Sequence, residues 1–149
     1  MEQLIAMNNG AVDMFFKAVR KMPEDKQTWK PLDTGRSALD QARELATSPH
    51  FFLMHIDPNH QSPYANYEEF NNAADNWDLD TCEQKCREVT ATYNEFLKTM
   101  TPEQMGTMHA MPWGEEHSGA EIAGFHYWNV VYHVGQVNYI QTLYGDKDM

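Results

Sequence analysis

The sequence predicts an all-α four-helix bundle. Three observations predict it: four long segments whose apolar residues recur every three or four positions, capping and stop signals at their ends, and no strand-like alternation beyond one short hairpin. A chain of 149 residues has the size of one ordinary domain, so residues 1–149 are expected to form a single bundle. At this length folding removes roughly 68–70% of the extended chain's surface from water, enough for a core without staples.

The first helix follows from Leu4, Ala11, Val12, Phe15, Phe16, Val19 and Met22, and Pro23 ends it. Asn8 and Asn9 fall on or beside its buried face, where a polar side chain needs a partner. The second opens at Ser37 with Asp40 three residues on, a capping pattern, and its stripe is Ala38, Ala42 and Leu45. Ser48 and Pro49 interrupt that stripe, with helical spacing resuming through Phe52 and His55.

A third helix is expected from about Asp80, with Glu83 as the far half of a capping box, to Met100. Its seam is Cys82, Cys86, Val89, Tyr93, Phe96 and Met100, which makes both cysteines buried thiols, not a disulfide or metal pair. The fourth runs from the cap Ser118, with Glu121 at the third position, to the stop Gly145, and is roughly 39 Å long at ~1.5 Å per residue. The long connection from Asp57 to Asp78 is expected to carry a turn around Tyr64 to Phe70, and a hairpin fits "MGTMHAMPWG".

Eleven basic against 22 acidic residues give a formal charge of -11, which repels phosphate backbones and anionic lipid and so argues against nucleic-acid binding. Apolar residues at 42% and aromatics at 12% are too many for a disordered chain. The opening "MEQLIAMNNGAVDMFF" has no basic leader, no segment approaches the ~20 apolar residues of a membrane span, and a cytoplasmic address is expected.

Chemistry concentrates on the fourth helix. At ~100° per residue, Ile122, His126, Val130, His133, Val137, Ile140 and Tyr144 lie near one line, with Asn129 beside it. His126 and His133 therefore point inward, either as metal ligands or as hydrogen-bonded packing residues. Phe125, Trp128, Tyr132, Tyr139 and Leu143 make the other side apolar as well, so a loop or a second subunit should cover it; a symmetric homodimer is expected. His50 and His60 read as loop residues and His55 as a reserve ligand, while Trp113 reads as a lid over one end or the floor of a substrate pocket.

"YHVGQVNYIQTLYGD" resembles the last-helix signature of the DinB/YfiT-like superfamily, and "MPEDKQTWKPLDTGRSALDQARELA" resembles that family's approach to its second helix. The resemblance implies a four-helix bundle, commonly dimeric, with a divalent metal (zinc, nickel or manganese) held by one second-helix histidine and two on the last helix, four apart. Those positions are Glu44, Asn129 and His133 here, with His126 one turn earlier as a substitute. The stripe of the second helix places Glu44 off its centre, so it meets the fourth helix only if an open cleft lies between them. The family's activities imply a metal-dependent hydrolase or thiol S-transferase acting on a small molecule, with Tyr132 and Tyr139 as proton-donor candidates. The alternative is a non-catalytic, stress-related bundle protein whose metal site is incomplete or lost.

Overall fold

The computed structural model describes residues 1–147, with Tyr67 and Asn71 described by backbone alone. Seven helices and one hairpin follow in the order α1 (Glu2–Lys21), α2 (Glu24–Gln27), a 3-10 turn (Pro31–Asp33), α3 (Ala38–Ile56), α4 (Tyr67–Asn72), α5 (Leu79–Thr99), α6 (Pro102–Gly106), β1 (Met108–Ala110), β2 (Glu116–Ser118) and α7 (Gly119–Leu143). The long helices α1, α3, α5 and α7 form the bundle, as predicted. The antiparallel hairpin pairs Met108 with Ser118, and the expected turn in the long loop is α4.

Capping boxes open α3 at Ser37 and α7 at Ser118, each through the residue the sequence indicated. For α5 the cap is Asp78, whose carboxylate accepts from Thr81 N–H, rather than the Asp80–Glu83 pattern. Glu83 instead pairs with Arg20 and Arg87. Pro49 does not break α3 either. It is buried within a continuous helix, because Leu45 and Ala46 before it and Leu53 and Ile56 after it are all anchored in the core, and packing outweighs the lost hydrogen bond. His50 is consequently a helical residue, bonded to His60 of the following loop at 3.2 Å. On α5, Leu97 is fully buried and Phe96 only partly.

Pairings across the bundle give its topology. Arg20 meets Asp80 and Glu83, Arg87 meets Asp13, and Asn8 donates to Asn94 at 2.9 Å, so α1 and α5 are antiparallel. Gln41 meets His133, Ser48 meets Asn129 and Phe52 meets Phe125, so α3 and α7 are antiparallel too. One core cluster holds Ala42, Cys82 and Val137, and the other holds Leu53, Tyr93 and Ile122. Both α3 and α5 run from the first cluster to the second, side by side and parallel. The loop at residues 57–78 must therefore return along the bundle, over the roughly 28 Å that α3 spans at ~1.5 Å per residue. Its length is the return path.

Across the core, α5 faces α7. Tyr93 OH donates to the Ile122 carbonyl at 2.8 Å, and Thr90 Oγ1 lies 2.9 Å from His126 Nε2. Asn8 and Asn9 find their partner in Asn94. Gly119 lets α7 start against α6: a Cβ there would lie 2.1 Å from the Gln104 carbonyl oxygen. Gly145, at φ 93°, takes the left-handed conformation that ends the helix. Among the described residues no helix is long and apolar enough to cross a membrane.

Among the described residues Thr90 alone bonds the buried His126 ring, whose Nδ1 has no partner. Thr90→Val is expected to cost about 1–3 kcal/mol in urea unfolding at pH 7, while Thr90→Ser keeps most of the stability. Equal stability of both variants and the parent would contradict this.

Candidate metal centre

The α3–α7 seam brings Glu44, Asn129 and His133 together. On α3, Gln41, Glu44 and Ser48 follow at helical spacing; on α7, Asn129, His133 and Gln136 do the same, in the opposite direction. His133 is 1% exposed and held at both nitrogens. Nδ1 lies 3.1 Å from Gln41 Oε1 and 3.2 Å from Gln136 Oε1, and Nε2 lies 3.1 Å from Glu44 Oε1. Asn129 Nδ2 donates to Ser48 Oγ at 3.1 Å and to Glu44 Oε1 at 3.4 Å.

Glu44 is off the stripe of α3, as expected, and it is the open flank that lets it reach α7. It borders a small polar cavity of roughly 290 Å³ between α3 and the α4 loop. Its other oxygen, Oε2, accepts from Arg36, which also donates to the Asp40 carbonyl at 3.1 Å. Burial alone would push the Glu44 carboxyl up, but the hydrogen bond and charge of His133, with Arg36 beside it, hold it down at about 2.

His126 does not belong to this group. It sits two turns from His133, roughly 10.5 Å along α7, and turns to Thr90 of α5 with Tyr93 packed 5.4 Å from its ring. Burial lowers its pKa to about 4, which keeps the ring neutral. His126 is a packing histidine, and the expected substitute ligand is not at the site. His55, its Nδ1 2.8 Å from the Phe51 carbonyl, lies eleven residues along α3 from Glu44, about 16 Å away, and is no reserve ligand.

The donor set suits a metal ion in two positions out of three. With its hydrogen on Nδ1, facing two amide oxygens, His133 presents a lone pair to the Glu44 carboxylate, and two electron-rich atoms this close need a proton or a metal cation between them. Donors of one tetrahedral ion at roughly 2.0–2.2 Å stand about 3.3 Å apart, close to the observed 3.1 Å. The third position, Asn129, is a neutral amide and a weak ligand. Among the described residues no group of three or more His, Cys, Asp or Glu side chains is placed to hold a metal. Two of the three positions thus carry donors that a divalent ion takes, and the third does not.

Sequence reasoning missed Arg36, Gln41, Ser48 and Gln136. Gln41 had a signal: a polar residue beside the apolar stripe of α3, 1% exposed, that must find a buried partner.

No family model matches this sequence, and neither does any curated protein. Its shape matches that of several solved structures. One, from Bacillus subtilis, is described as "YfiT … a probable metal-dependent hydrolase with an unusual four-helix bundle topology"; it aligns over 97% of this chain and 87% of its own with TM-score 0.73 and 16% identity. This chain has the YfiT-type bundle fold. A DinB-like protein of Bacillus subtilis, YjoA, aligns over 97% of this chain and 94% of its own, with TM-score 0.65 and 17% identity. The parallel α3–α5 pair and the diagonal connections are how this YfiT-type bundle departs from an up-and-down one.

Because the Glu44 carboxyl sits at about 2 against an ordinary 4.5, its pairing stabilises the fold above pH 4.5 and that stability is lost as pH falls toward 2. The carboxylate is partly exposed, so screening leaves on the order of 1 kcal/mol. Glu44→Gln is expected to flatten that acid limb in urea unfolding at successive pH values. An unchanged limb would refute the pairing.

Proposed function

We propose that the chain is a DinB-like protein that takes a divalent metal ion (zinc, nickel or manganese) at Glu44 and His133, with Asn129 as third neighbour, and acts on a small molecule as a metal-dependent hydrolase or thiol S-transferase. The observation that carries this reading is the 3.1 Å approach of His133 Nε2 to Glu44 Oε1, with Nδ1 committed on the far side. An ion bound there supplies Lewis acidity, bringing the pKa of a water or thiol toward neutrality. The chain's own residues do the rest. Gln41 and Gln136 fix the ring and its tautomer, in the way that outer partners orient a ligating histidine. Arg36 occupies Glu44 Oε2 and leaves Oε1 to face His133 and Asn129. Tyr132 and Tyr139 are the proton-donor candidates, and the ring of Tyr132 stands 5.6 Å from that of His133.

A second reading, a non-catalytic stress-related bundle with a lost site, is supported by the Asn129 amide, which donates to Glu44 and Ser48 and closes the network with no cation. Metal titration separates the two. Near-stoichiometric uptake of zinc, nickel or manganese, abolished by His133→Ala and by Glu44→Gln, supports the site, and Asn129→His is expected to tighten it on the order of tenfold by restoring an imidazole. No uptake after reloading leaves only the second reading.

The same proposal includes a homodimer in the cytoplasm. Free buried thiols at Cys82 and Cys86 support a reducing compartment. The outward line of α7 supports the dimer: Val131, Tyr132, Tyr139 and Leu143 are all exposed, Tyr139 to 66%, and a second copy related by a two-fold axis would cover them. Light scattering is expected to give twice 17.3 kDa, falling to the monomer in the double variant Tyr132→Glu, Tyr139→Glu with unchanged helicity. A monomeric parent protein at high concentration would dismiss the dimer.

A further inference from the structure

One turn beyond Asn129 the α3–α7 seam opens into a second cavity, of roughly 760 Å³, within the ~300–1,000 Å³ that small molecules fill. Its rings come from Phe52 of α3, Trp113 of the hairpin and Phe125 and Trp128 of α7, with the imidazole of His117 among them; its carboxylates are Glu115 and Glu121. Phe52 and Phe125 lie eight residues from Glu44 and His133, about 12 Å along their helices, so this is a different place from the Glu–His pair.

Phe52 and Phe125 pack on the core and form the floor, Trp128 stacks on Tyr132, and the two indoles border the opening. Phe125 stands 5.7 Å from Phe52 and 6.5 Å from Trp113, centroid to centroid, while Trp113 and Trp128 remain 52% and 63% exposed. Indole faces are the strongest aromatic partners for an organic cation. Among the described residues no lysine or arginine lines the cavity, and its one basic side chain, His117, is paired with Glu115. The amino end of α7 brings a partial positive charge, but Glu121 Oε2 already accepts from both the N–H and the Oγ of Ser118, at 2.7 Å each, and those bonds hold its carboxyl below the ordinary range. Glu115 stands at the rim, Oε2 3.4 Å from His117 Nε2. Two carboxylates beside four rings, in a chain of formal charge -11, suit one kind of ligand.

We propose that this cavity binds a hydrophobic organic cation, an ammonium carrying an aryl or alkyl group. The rings receive the apolar body and the spread positive charge, and Glu115 and Glu121 set the sign. An anion of the same size meets the carboxylates, and a neutral analogue gains only the apolar contact.

The test uses the full-length protein and three soluble probes of similar size: benzyltrimethylammonium, benzyl alcohol and benzenesulfonate. Binding is followed by tryptophan fluorescence and calorimetry, with chelator present. The cation is expected to bind at least tenfold more tightly than either of the others. Trp113→Ala and Trp128→Ala, truncations of exposed rings, should each weaken it at least fivefold, and Glu115→Gln about threefold, with helicity unchanged. His133→Ala should bind as the parent does, so the cavity can hold or fail independently of the metal reading. Equal affinity for all three probes, no binding at millimolar concentration, or cation affinity indifferent to the tryptophans would overturn the proposal. Affinity that falls as protein concentration rises would also overturn it, since a second copy of the chain would then be the occupant.

Discussion

The buried polar line of α7 fixes how the bundle is assembled. His126, Asn129 and His133 all face inward, and a buried polar group without a partner costs on the order of 1–3 kcal/mol. Their partners sit on two different helices: Thr90 on α5 for His126, and Gln41, Glu44 and Ser48 on α3 for the other two. A slip of α7 by one turn would strand each of these groups and would move Gly119 from its close approach to Gln104. Apolar burial holds the four helices together, and the polar line helps to fix their register.

Much of this was legible in the sequence, because caps and stripes are local. Ser37 with Asp40 and Ser118 with Glu121 declare helix starts in a few residues, and both boxes formed. The start of α5 was less certain for a physical reason: Asp78 and Asp80 are both competent caps, and the choice between them is made by Trp77 and Leu79 packing on the core, which is not a local property. Helix direction was not legible at all. An apolar stripe reads the same whether a helix runs up or down, so the parallel α3–α5 pair and the return path of residues 57–78 emerge only in three dimensions. The site divides the same way. The spacing of Asn129 and His133 was visible, whereas Glu44 depended on a cleft, and His126, on the same line as His133, finds its partner on α5, in Thr90, and not on α3.

The outer face of α7 shows where amphipathic reasoning stops. A helix apolar on all sides was expected to be covered by a loop or a second subunit; within one chain Trp128 and Tyr139 are exposed, with Trp128 stacked on Tyr132 at 5.4 Å. The exposed aromatics separate into two regions. Near the amino end of α7 they border a concave, acidic cavity of roughly 760 Å³, and nearer the carboxyl end Tyr132, Tyr139 and Leu143 form a convex strip. Concave, charged surface suits a small ligand, and convex apolar surface suits a second chain. Trp128 lies at the border of the two, so its environment depends on both.

Charge decides how strongly the Glu44–His133 pair can hold an ion. Glu44 is the site's single anion, and Arg36 already neutralises it, while His133 and Asn129 bring no negative charge in their ligating forms. A divalent cation entering this half-buried seam therefore arrives with its charge uncompensated, at a desolvation penalty of several kcal/mol that two strong donors offset only in part. Two things lower that penalty: withdrawal of Arg36 from Oε2, which restores one unit of negative charge, or arrival of the ion together with an anionic ligand such as a thiolate. In either case occupancy becomes coupled to what else is bound. If an ion binds there as proposed, one carboxylate, one imidazole and a nearby guanidinium make its occupancy depend on what else is bound.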